Sequence, residues 1–145
     1  MSNTYKKLKE FKSKHSLTIA WRLKSHVKVI DKHLNPGETV NFVFAAQKGY
    51  SSFDFFSTFV VVLTNKRIVL AQKRLLWGYT YLSVTPDMFI DLTVQSGLIW
   101  GKVYIDTVKE TMILSNISKE ALDDIETQIT EYMMDEKKKY KEVKE

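Results

Sequence analysis

Cysteine is absent from the 145 residues. That removes disulfides and thiol chemistry and fits a cytoplasmic setting. No run of eighteen apolar residues occurs, so no helix that spans a membrane is expected. Met1-Ser2-Asn3-Thr4-Tyr5-Lys6-Lys7 leads into further lysines and not into an apolar core, so no secretory signal is expected either. Missing too are the G-x-S-x-G, Walker and GxGxxG spacings that organise nucleophilic and nucleotide chemistry. Enzyme activity is therefore not expected, and no cofactor is implied.

What remains is a chain of single-domain size, 44% hydrophobic, with a net charge of +5. The charge is uneven. Residues 1–35 carry nine Lys/Arg against two acidic residues, residues 36–117 seven against six, and residues 118–145 six against nine. The basicity belongs to the N-terminal segment.

That segment reads as helical. Tyr5, Leu8 and Phe11 mark a short lysine-rich helix, and Ala20, Leu23, Val27, Ile30 and Leu34 fall on one face of a second helix starting near Thr18. Ser16 or Thr18 would cap it, and Asn35-Pro36-Gly37 ends it. Its apolar stripe must pack on the outer face of its own barrel or on a neighbouring subunit.

After Gly37 the period changes to two. Val40, Phe42, Phe44 and Ala46 share one face, Thr58–Thr64 is an apolar β-branched strand, and Arg67–Lys73 returns after Asn65-Lys66. Four more short strands follow: Tyr79–Val84, one with Ile90, Leu92 and Val94 on a common face, Lys102–Asp106 with Val103 and Ile105 inward, and Thr111–Ser115. Seven tightly connected strands argue for an antiparallel barrel or sandwich. Ser118 opens a final helix with Leu122, Ile125 and Ile129 on its apolar stripe, and from Asp135 the nearly all-charged tail is expected to fray. The expected organisation is a basic extension over 1–35, a domain over 36–134 with strands in 39–115 and a helix over 118–134, and a charged tail over 135–145.

Seven strands and one helix is the order of a pleckstrin-homology-like domain. Phe59–Leu70, with Thr64-Asn65-Lys66-Arg67 at its turn, resembles the central hairpin of the bacterial PH-like domains of the YokE-like group. Gly97–Ile105 resembles their penultimate hairpin, and Leu34–Val40 their entry into strand one. The resemblance covers residues 34–134. It implies a partly open barrel closed by the last helix, and a non-enzymatic platform that binds lipid headgroups, peptides or proteins. At the usual phosphoinositide position, however, Lys48 stands alone and strand two carries no charge, so clustered phosphate contacts are lacking there.

The candidate contact residues follow. Tyr50, Phe53, Phe55 and Phe56 form an aromatic loop between strands one and two, either exposed to a partner or bilayer or folded over the barrel mouth. Leu75-Leu76-Trp77 and Leu98-Ile99-Trp100 are two further hydrophobic turns, and all three could serve an oligomer contact. Lys6, Lys7, Lys9, Lys12, Lys14 and Lys48 are the candidate contacts for an anionic surface, against the plainer reading of a solvated helix face. His15, His26 and His33 lack the spacing and companion ligands of a metal site. Asp87, Asp91 and Asp106 lie on scattered strand and turn positions, not in a paired acid site. The strands do not interleave aromatic and basic residues, which argues against nucleic acid. The expected role is a module binding a protein or peptide and associating with itself, in the cytoplasm. The alternative is a peripheral module at the inner face of the membrane, using the basic helix and the aromatic loop.

Overall fold

A computed structural model of the chain describes residues 2–49 and 57–144. Seven strands pair antiparallel: β1 (Val40–Lys48), β2 (Thr58–Thr64), β3 (Ile68–Lys73), β4 (Tyr79–Val84), β5 (Phe89–Ser96), β6 (Trp100–Thr107) and β7 (Thr111–Ser118). Their spatial order is β4-β3-β2-β1-β7-β6-β5, and the sheet curls into a half-barrel. Helices α1 (Asn3–Lys14) and α2 (Leu23–His33) precede it, and α3 (Leu122–Lys144) follows after a short 3-10 turn.

Two apolar cores explain the pattern. The inner one lies between the concave face and α3, where Phe44, Phe59, Val61, Leu70, Val103, Ile105 and Leu114 meet Ile125 and Ile129. The outer one lies under α1 and α2, where Leu8, Val27, Val29 and Ile30 cover Val43, Ala45, Val60, Val62, Val69 and Ala71. Strand β2 is buried at every position because it is covered on both faces, hence its unbroken apolar run. Each such fully buried aliphatic side chain contributes roughly 1.5–3 kcal/mol. The α2 stripe therefore packs on its own barrel, as the first of the two sequence readings has it.

Three local expectations need correction. In β1 the register shifts between Val40 and Phe42, so Val40 joins the outer core while Phe42, Phe44 and Ala46 face inward. A shift between Phe89 and Asp91 likewise leaves Ile90 exposed, while Leu92 and Val94 pack inward. The second helix starts at Leu23 and not Thr18, because residues 15–22 form a strap with tertiary partners. Ile19 N–H donates to Asn116 O (2.9 Å), and Ser118 N–H donates to Thr18 Oγ1 (2.8 Å). The strap turns into α2 at Arg22, which adopts a left-handed conformation with φ 58°.

The last helix also runs ten residues past the expected end. Lys137 Nζ donates to Phe89 O (2.8 Å) and sits 5.6 Å from the Phe89 ring, which ties the charged turn to β5. Lys139 pairs with Glu136 one turn away (3.4 Å).

Strand β1 meets β7 only through Gln47–Ser115 and Lys48–Leu114. Helix α1 lies against the remainder of β1 and places Phe11 in the inner core, 6.2 Å from the Phe44 ring. A second link joins the turn before β1 to the β2–β3 hairpin. Arg67 Nε and Nη2 donate to both oxygens of Glu38 (2.9 and 3.0 Å), Nη2 also donates to His33 O (3.1 Å), and Nη1 donates to Ser83 Oγ (3.2 Å). Burial alone would raise the Glu38 carboxyl. Arg67, the Asn35 N–H and the Thr64 hydroxyl outweigh it and hold the group down at about 2.

His26 is buried under α2, and its Nδ1 accepts the Lys73 N–H (2.8 Å), which requires a neutral ring. Desolvation, then the Arg22 charge, lower its pKa to about 4. The unfolded chain takes up this proton near the ordinary histidine value of 6.5. Stability from His26 is therefore complete above that value and drains as pH falls toward 4, by up to about 3 kcal/mol. His15, also lowered by burial, adds a change of the same sign. Urea midpoints measured between pH 7 and 4.5 should fall steeply for the parent and less steeply for His26→Asn, whatever its baseline. Equal slopes would refute this.

Candidate interaction rim

The most exposed apolar side chains among the described residues sit on two hairpin turns. The β3–β4 turn closes with Arg74 N–H donating to Gly78 O (3.1 Å), and Gly78 (φ +80°) reverses the chain. Leu75, Leu76 and Trp77 project from it, with Leu76 77% and Trp77 75% exposed. The β5–β6 turn is tighter. A side chain at Gly97 would meet Trp100 O at 2.6 Å, so only glycine allows this approach. Its tip presents Leu98, 90% exposed, and Ile99.

The strap runs between the two turns. Near one end, Trp100 Nε1 donates to Leu17 O (2.6 Å) and Lys119 N–H donates to Ile99 O (2.9 Å). At the other, Trp21 N–H donates to Thr58 Oγ1 (3.3 Å) and Arg22 Nη1 donates to Lys73 O (3.1 Å). Leu17 and Trp21 are exposed along the way, so exposed apolar side chains lie on both turns and on the strap between them, here called the rim. Sequence reasoning missed the strap's share, because residues 15–22 carry a helical apolar spacing and their true partners lie far along the chain.

The sequence candidates divide accordingly. Trp77 is bare at its tip, whereas Trp100 is half-buried and anchors the strap. Tyr50, Phe53, Phe55 and Phe56 lie outside the described residues. Lys6, Lys9 and Lys14 line a shallow groove on α1 with Glu10 and Ser13. Lys7 lies over Asn41–Val43 beside Asp124. Lys12 turns inward instead. Its ammonium donates to the carbonyls of Ser16 (3.0 Å) and Thr18, and burial lowers its pKa. Lys48 sits 5.7 Å from the Phe59 ring.

Asp91 and Asp106 face each other across β5 and β6, but the Asp106 carboxylate accepts the Thr111 hydroxyl (2.6 Å) on an exposed surface. No group of three metal-ligating side chains occurs among the described residues. No helix of the described residues is long and apolar enough to cross a membrane.

A family model described as "Bacterial PH domain" matches residues 34–131. Among solved structures, the chain is similar to the crystal structure of a pleckstrin homology domain from Shewanella amazonensis SB2B. The identity is 15%, over 72% of this chain and 80% of that one, with a TM-score of 0.44. Comparison with curated proteins gives no match. The family match starts where α2 ends and takes in every strand and the first ten residues of α3, leaving α1, the strap and α2 as an N-terminal addition to the matched region. On that match, and on an antiparallel sheet that curls in the expected order around a closing helix, the chain belongs to the bacterial PH domain family.

Proposed function

We propose that the chain is a non-enzymatic docking module that seats its rim on an anionic membrane surface. Domains of this family are in general not enzymes, and they typically mediate interactions. The observation that carries the membrane reading is the β3–β4 tip. Leu76 and Trp77 project from a hairpin whose base carries Lys73 and Arg74. Apolar and aromatic side chains at a tip suit the bilayer interface, and cations behind them suit its anionic headgroups. The α1 lysines other than Lys12 add to the same attraction wherever they reach the surface.

Self-association through this rim is less well supported. A two-fold pair uses one patch against itself, so it would bring Lys73 and Arg74 toward their own copies. A flat apolar face would favour such a pair; two narrow turns do not.

Co-sedimentation with vesicles tests the proposal. The chain should pellet with phosphatidylglycerol vesicles at low salt, bind phosphatidylcholine weakly, and release at high salt. Leu76→Ser with Trp77→Ser should weaken partitioning about a hundredfold, since two buried apolar side chains are lost. The protein-partner reading takes over if vesicles are ignored while the chain pairs with itself in a Trp77-dependent way.

A further inference from the structure

A cationic groove runs between α2 and the base of the β3–β4 hairpin. One wall is a single face of α2, bearing Arg22, Ser25, Lys28 and Lys32. The other is Lys73 and Tyr79, which are paired across β3 and β4. Four formal positive charges line it and no carboxylate does. Among the described residues, no acidic group lies within ion-pairing distance of Lys28, Lys32 or Lys73. Asp31 lies in the adjoining groove toward α1, which Lys28 also borders, and does not line this one.

This arrangement works against the fold. Lys24, Lys28 and Lys32 repeat at four-residue spacing on α2, and like charges at that spacing destabilise a helix. Clustering Lys73 opposite adds further repulsion. An anion in the groove removes it.

The donor set defines the anion. Arg22 is held at one end by its hydrogen bond to Lys73 O and adds its charge to the groove. Lys28, Lys32 and Lys73 supply point charges, and Ser25 and Tyr79 supply hydroxyls. His33 closes the far end, its Nε2 3.1 Å from the Tyr79 hydroxyl. A carboxylate, with one charge and two oxygens, would leave most of these donors unused. A phosphate monoester brings close to two charges and three terminal oxygens.

We propose that the α2/β3–β4 groove binds a phosphate-bearing anion. Arg22, Lys28 and Lys32 precede residue 34, so the site is built by the N-terminal addition together with the hairpin, away from the charge-poor strand-two position. The proposal stands on the groove's own residues. Membrane docking supplies one of two sources for the anion, a lipid headgroup, and a soluble phosphate compound is the other.

The test is an amide-resolved NMR titration of the full chain with pyrophosphate at low ionic strength. The expected result is saturable shifts confined to residues 22–33 and 73–79. Lys28→Gln with Lys32→Gln, both exposed and remote from either core, should weaken binding about tenfold or more. Lys6→Gln with Lys9→Gln should leave it unchanged. A parallel arm compares vesicles of phosphatidic acid and phosphatidylglycerol. A preference for phosphatidic acid that the Lys28/Lys32 variant abolishes identifies a headgroup, and pyrophosphate binding without such a preference identifies a soluble ligand. The groove is refuted if pyrophosphate gives no saturable shifts and no lipid preference exists, or if the Lys28/Lys32 variant binds like the parent. Loss of vesicle binding in the Leu76/Trp77 variant with pyrophosphate binding intact concerns the docking reading alone.

Discussion

Replacing Arg67 by alanine is expected to destabilise the fold by about 3–5 kcal/mol, the range for removing one partner of a buried ion pair. The Glu38 side chain is 0% exposed and that of Arg67 14%, so water cannot take over when the guanidinium leaves. The loss goes beyond one pair. Arg67 also holds the α2 C-terminus through His33 O, reaches Ser83 on β4, and lies 5.7 Å from the Tyr81 ring. Arg67→Lys should recover only part of the stability, because a single ammonium cannot reproduce two donations to one carboxylate together with those to the α2 C-terminus and to β4. The pair has a second signature. Glu38 is held at about 2, below the ordinary glutamate value of 4.5, so its stabilisation is complete above that value and is lost as pH falls toward 2. In Arg67→Ala that acid-side loss should shrink, since only the Asn35 N–H and the Thr64 hydroxyl still hold the carboxyl down, leaving a flatter urea midpoint between pH 4.5 and 3. An alanine variant within about 1 kcal/mol of the parent would contradict this reading.

Phe11→Ala should have a comparable effect, about 3–4 kcal/mol. Phe11 belongs to a helix outside the family match, yet its ring is buried in the inner core against Phe44, on the stretch of β1 that has no β7 partner. Truncation there leaves a cavity that neither strand can collapse to fill. Denaturant unfolding should show a lowered midpoint with an unchanged slope, and a chain starting at residue 34 should fold poorly or not at all. If that shortened chain were as stable as the parent, the N-terminal addition would be mere decoration.

The strands were legible by a period of two where one face is covered, as with Val103 and Ile105 in β6, and by an unbroken β-branched run where both faces are, as in β2. The Thr64–Arg67 turn and the Asn35-Pro36-Gly37-Glu38 turn were legible as family-like stretches, and the structure shows them joined through Glu38 and Arg67. The β1 facing was misread because a bulge moves Val40 to the other side, which no fixed period can express. The strap looked helical because tertiary hydrogen bonds to β7 and β2, not local preference, set its conformation. In the rim, Trp77 was found from its turn alone. The role of Trp100 as an anchor depends on Leu17, far away in sequence, and so was hidden. The groove was hidden for the same reason, its lysines being split between α2 and β3.

The docking account is tested most directly by the fluorescence of Trp77 as the only indole, after Trp21→Phe and Trp100→Phe. On phosphatidylglycerol vesicles its emission should shift to the blue and be quenched by lipids brominated near the headgroup. Emission that stays that of a water-exposed indole while the chain is fully vesicle-bound would contradict insertion of the β3–β4 tip.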